Sequence, residues 1–133
     1  MITYEVAKEL NKRGFSFQVS FATWIEDDGS TMLVSREEYE GVNGCLDYDA
    51  PDATQLMKVL PRGVNAHDRH YELLISIFDT MIDGKKFHHI YARYELSMGY
   101  HATPAVLCGF PSEDSLEDQL AWLLIELKEK GYI

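Results

Sequence analysis

Tyr71-Glu72-Leu73-Leu74-Ile75-Ser76-Ile77-Phe78-Asp79-Thr80-Met81-Ile82-Asp83-Gly84-Lys85-Lys86-Phe87-His88-His89-Ile90-Tyr91-Ala92-Arg93-Tyr94-Glu95-Leu96 carries two apolar-rich runs on either side of a central Asp-Gly, the pattern of a long β-hairpin. Asp83-Gly84 at its centre suits a type I′ hairpin turn, because both central residues of that turn need positive φ. With the turn there, Ile77 meets Ile90, Ile75 meets Ala92, Leu73 meets Tyr94 and Tyr71 meets Leu96. The other face pairs Glu72 with Glu95, Leu74 with Arg93, Ser76 with Tyr91 and Phe78 with His89. A slip of one residue would set each apolar row against a polar one, so the register is specified.

A second Asp-Gly pair, Asp28-Gly29, repeats the device upstream. It places Ile25 opposite Met32 and Thr23 opposite Val34, with Phe15, Phe17, Val19 and Phe21 continuing the same face. That face is expected to meet the core. The opposite face is mostly Ser, Gln and Ala, with Trp24 and Leu33 as its large apolar pair.

Three helices frame the hairpins. Thr3 suits the N-cap of a helix over residues 4–13, Gly14 its C′ position, and Glu9 pairs with Arg13 at i,i+4. Pro51 suits N1 of a short helix that carries Ala53, Leu56, Met57 and Leu60 on one stripe and stops at Pro61. Leu116, Leu120, Leu123, Leu124 and Leu127 recur at helical spacing, with Ser115 and Asp118 forming a capping-box pattern. These elements predict one α+β domain over residues 1–133 in the order α-β-β-α-β-β-α. The simplest arrangement is a two-layer sandwich, a four-stranded, mainly antiparallel sheet with helices on one face. Residues 37–50 and 97–114 read as loops rich in Gly, Pro, Ser and acids, and the second is long for a structural connection.

Composition narrows the function classes. A chain of 133 residues with 46% hydrophobic and 26% charged residues is globular rather than disordered. Twelve Lys and Arg against 22 Asp and Glu leave a net charge of −10, which opposes direct binding to a phosphate backbone. The acids cluster at Glu26-Asp27-Asp28, Glu37-Glu38, Asp47 to Asp52 and Glu113 to Asp118, which are mostly turns and helix starts. No apolar run reaches the roughly 20 residues a membrane helix needs, and Met1-Ile2-Thr3-Tyr4-Glu5 has no signal-peptide character. Two cysteines, Cys45 and Cys108, make no disulfide framework or metal spacing, so a cytoplasmic, reducing setting is expected.

The residues that could carry chemistry are isolated and form no constellation. His67 and His70 are weak metal candidates that Asp68 or Glu72 could complete on a helix. However, His70 opens a strand, which turns the pair apart. His88 and His89 are strand neighbours on opposite faces, with His88 opposite Asp79 as a surface pair. His101-Ala102-Thr103 is half of a paired His-x-Thr phosphoesterase motif whose second half is absent. No P-loop, GxGxxG or GxSxG is present, so no catalytic residue and no cofactor are assigned. If helices cover one side of the sheet, Leu74, Phe78, Phe87 and Tyr91, together with Trp24 and Leu33, form an aromatic patch on the other. A patch of this kind marks a partner surface, and a sheet-to-sheet homodimer is the economical form.

Three segments carry a family resemblance: YDAPDATQLMKVL at 48–60, SLEDQLAWLLIELKEKGYI at 115–133 and AKELNKRGF at 7–15. Together they resemble small uncharacterised proteins of phages and mobile elements in gut Bacteroidetes, where an "AP…Q…MKWL" helix precedes a hairpin and a "YEEA…LE" helix closes the chain. The long 97–114 segment departs from that pattern. The resemblance implies a context but no activity and no site residue. The leading expectation is a non-catalytic acidic interaction module that binds or inhibits a host protein. The alternative is a small enzyme or ligand-binding protein with a His and acid site in the 62–70 and 97–114 loops.

Overall fold

Both Asp-Gly turns form as the side-chain pattern requires. Asp28 and Gly29 have φ of 47° and 80°, and Asp83 and Gly84 have φ of 51° and 77°. The computed structural model describes residues 1–17, 22–35, 46–96, 106–109 and 115–133. The first turn joins β1 (Ala22–Asp27) to β2 (Ser30–Ser35) with Ile25 opposite Met32 and Thr23 opposite Val34. The second joins β5 (Arg69–Ile82) to β6 (Lys85–Leu96), and the whole ladder from Tyr71–Leu96 to Ile82–Lys85 keeps the expected register.

The fold class is α+β, but the strands divide into two antiparallel sheets where one of four strands was expected. Three short strands account for the difference. β3 (Leu46–Ala50) lies within the 37–50 stretch read as a loop and pairs with β1, giving the sheet order β2-β1-β3. β4 (Gly63–Ala66) pairs with the start of β5, and β7 (Val106–Gly109) with the end of β6, giving β4-β5-β6-β7. Each has four or five residues, too few to show an alternation that stands out from a polar loop. The β4–β5 turn, His67-Asp68, puts two non-glycine residues at φ of 53° and 61°, and no turn signature announces it.

Helix α1 (Tyr4–Lys12) starts after Thr3, whose hydroxyl makes no cap bond. Instead the Thr3 N–H donates to Asp118 Oδ1 at 2.8 Å. That bond occupies Asp118, so the expected capping box at the last helix, α3 (Leu116–Glu129), is half made: the Asp118 N–H donates to Ser115 Oγ at 3.2 Å. A full capping box occurs at α2 (Ala53–Val59), where Asp52 and Gln55 bond each other's backbone. Asp52 is therefore the N-cap, and Pro51 stands one residue before it rather than at N1.

Helix α3 packs on α1, α2, β6 and β7, and its Leu120, Leu123, Leu124 and Leu127 form the centre of the core with Leu10, Leu56, Ala92 and Tyr94. Tyr94 is fully buried and donates its hydroxyl to the Pro61 carbonyl at 2.6 Å. In the three-stranded sheet the main core takes the face opposite to the expected one. Ala22, Trp24, Leu33 and Tyr48 pack on the core cluster, while Met32 is exposed. The cause is α1: Tyr4 sits edge-on to both Trp24 and Tyr48, and the Trp24 indole donates to the Ile2 carbonyl at 3.2 Å. Thr23 and Ile25 are buried as expected, though apart from that cluster.

Candidate functional site

The feature that stands apart is the far half of the β5–β6 hairpin. β4 accompanies β5 only up to Glu72, and β7 accompanies β6 only from Arg93 onward. Between these limits and the Asp83-Gly84 turn, β5 and β6 pair with each other alone among the described strands. Lengths explain why. A 14-residue strand spans about 46 Å, whereas the 14-residue helix beneath it spans about 21 Å. The core side of the ribbon therefore runs out of cover near Ala92, and the rest becomes an arm.

Apolar side chains emerge on both faces of that arm. Ile77 is 75% exposed and Met81 66% on the face that continues from the core. Ile75, two residues nearer the core on that face, is 39% exposed. Leu74, Phe78 and Phe87 are each about two-fifths exposed on the other face, and Tyr91 shares that face half-buried. The sequence had placed Ile75 and Ile77 in the core. Their register is right and their environment is not, because α3 ends before it reaches them. Comparing the predicted strand and helix lengths would have exposed the mismatch.

Polar contacts stiffen the arm. Phe78 stacks on His89 with ring centroids 5.1 Å apart, and His89 Nε2 shares a hydrogen bond of 2.7 Å with Thr80 Oγ1. At the base, the Arg93 guanidinium lies 5.0 Å from the Tyr91 ring centre, donates to Ser76 Oγ at 2.9 Å and pairs with Glu95 at 3.1 Å. Gly109 of β7 lies close there: a Cβ on it would come 2.6 Å from the Tyr91 hydroxyl and 3.0 Å from Arg93 Cβ, so a larger residue would displace the Tyr91 ring. On the core-side face His88 Nδ1 donates to Asp79, and Lys86 pairs with the same carboxylate at 3.2 Å. The His88 bond first, and the Lys86 ammonium second, hold the Asp79 carboxyl below the usual carboxylate range.

Gln119 anchors the arm at the point where it leaves the body. This fully buried side chain accepts from the Ala92 N–H at 2.9 Å and donates to the Ile90 carbonyl at 2.8 Å. It thus supplies β6 with the two edge bonds that a neighbouring strand would otherwise make.

Of the six residues expected to form one patch, four come together on the arm: Leu74, Phe78, Phe87 and Tyr91. Trp24 and Leu33 belong to the other sheet and pack on the core cluster rather than on a shared outer surface. Leu33 instead lines a cavity of about 270 Å³ with Ile2, Ala22, Ala50, Asp52 and Glu117.

Among the described residues, those of the alternative reading do not assemble. His67 sits in the β4–β5 turn and meets the Tyr132 hydroxyl at 3.2 Å, while His70 Nδ1 bonds Asn65 Oδ1 at 2.8 Å. Among the described residues no group of three or more His, Cys, Asp or Glu side chains is placed to hold a metal ion. The 62–70 segment expected as a loop is mostly strand. Burial pushes the Cys108 thiol up to about 11, which suits a packed side chain better than a nucleophile. His101 and Cys45 lie outside the described residues. Among the described residues no helix is long and apolar enough to cross a membrane. No family model, curated protein or solved structure matches the chain.

Proposed function

We propose that this chain is a non-catalytic protein-interaction module that presents the β5–β6 arm to a protein partner. The observation that carries the reading is Ile77 at 75% exposed beside Met81 at 66%, on a ribbon whose opposite face exposes Phe78 and Phe87 as well. Water-exposed apolar side chains on both faces of a two-stranded ribbon cost solubility unless a partner covers them. A helical layer over one side of the sheets, leaving the arm free, is the scaffold in this reading. The resemblance to small phage and mobile-element proteins supplies the setting, a cytoplasmic one, in which a host protein is the natural target. The acidic composition favours a protein partner over nucleic acid.

The test compares the wild-type chain with an Ile77→Ser/Phe78→Ser variant, which alters both faces of the arm, as bait in a host extract, after circular dichroism has shown that both are folded. A protein retained by the wild type and lost with the variant supports the reading. Equal retention by both baits rejects it.

A further inference from the structure

We infer that the arm's first partner is a second copy of this chain, with Phe87 of each copy seated in the Leu33 cavity of the other. This deepens the interaction-module reading and rests on the arm being its working part. Two copies at a net charge of −10 repel, so contact must form where the acid excess is relieved. The arm is such a place. Residues 74–93 hold three of the 12 Lys and Arg but two of the 22 Asp and Glu, and the tip carries Lys85 and Lys86.

The cavity is the complement of that tip. Its lining is mostly apolar, with Ile2, Ala22, Leu33 and Ala50, and at its edge stand the Asp52 carboxylate, which caps α2, and Glu117, which is paired with the Met1 ammonium at 2.8 Å. At about 270 Å³ it exceeds the roughly 150 Å³ that accommodates a benzene-sized guest. Phe87 is a benzyl group 43% exposed near the end of the arm. Lys85 is two residues away on the same strand, hence on the same face and about 7 Å off. A ring followed by a cation thus meets an apolar pocket where the Asp52 carboxylate has no cation of its own among the described residues, Glu117 being paired with Met1. Because one chain carries both plug and socket, a two-fold axis makes the contact twice and closes the assembly as a dimer.

Light scattering and sedimentation of the purified full chain test the inference. A dimer is expected, with Phe87→Asp and the cavity-filling Ala22→Phe each shifting it to monomer. Mixing those two variants restores a one-to-one complex, weaker than the wild-type dimer, because one has an intact socket and the other an intact plug. Asp52→Asn, which retains the helix cap, weakens the dimer about threefold to tenfold by removing a carboxylate from the cavity. A monomeric wild type overturns the inference while leaving the extract experiment to judge the broader reading. An Ala22→Phe protein that stays dimeric, with native circular dichroism, overturns the socket and points to arm-on-arm pairing. Binding to anionic vesicles or nucleic acid that depends on Phe87, without dimerisation, overturns it also.

Discussion

Gln119 is the residue on which the arm's exit from the body depends. Its amide occupies the backbone N–H of Ala92 and the carbonyl of Ile90, both at a sheet edge that β7 does not reach. Gln119→Leu keeps the approximate volume and leaves both groups without that partner. The expected cost is about 2–4 kcal/mol, since an unsatisfied buried polar group costs about 1–3 kcal/mol. The urea unfolding midpoint measures it, and a change below about 0.5 kcal/mol would show that the edge bonds carry little. Nothing in the pattern of the last helix marks this role. Gln119 lies next to Leu120 in a sequence where a polar residue beside an apolar stripe reads as solvent-facing. Asp118 is similar: its capping-box reading is correct for its backbone N–H, while its carboxylate serves Thr3 across the fold.

At the scale of the element, the β5–β6 hairpin shows how far local rules reach. Every pair from Tyr71–Leu96 to Ile77–Ile90 was legible, because Asp83-Gly84 admits one turn geometry and the alternation admits one register. The Asp79–His88 pair was legible for the same reason, since the register sets them opposite each other. Its linkage to pH has a definite sign. The folded carboxyl of Asp79 titrates below its usual 3.8, so its contribution to the arm is present above that value and is lost as pH falls through the depressed one. The Asp79 carboxyl carbon, followed by NMR, is expected to titrate with a midpoint below 3.8. Replacing both His88 and Lys86 by Ala should return the midpoint toward that ordinary value, and a midpoint unmoved by the replacement would remove them as the cause. The strands β3, β4 and β7 were not legible, because each gains its strand character from the neighbour it pairs with.

For the whole molecule, the division between a packed body and a free ribbon predicts a gradient of stability along one strand. Amides of β6 around Ala92 and Tyr94 lie against α3, whose core leucines are fully buried. Those around Phe87 and His89 have one neighbouring strand among those described. Local opening follows the number of buried contacts, so native-state hydrogen exchange should be at least about tenfold faster at the tip than at the base. Uniform protection along β6 would mean that the arm is covered in solution. For the dimer inferred above, protection of the tip should instead rise with protein concentration.

Local sequence pattern suffices for the α+β class, the two tight turns, the register of both hairpins and the apolar stripes of the helices. Each of these follows from interactions between residues close along the chain or directly opposite across a turn, where side-chain period and allowed φ leave one solution. Tertiary structure alone decided that the strands split into two sheets, that α1 claims the Trp24 face, and that the outer half of the long hairpin stands clear of the core. Those outcomes depend on which distant surface covers which face and on how far a helix reaches under a strand twice its length. Ile77 was therefore placed correctly by its neighbours and exposed to water because a helix beginning 39 residues later in the chain, at Leu116, does not reach it.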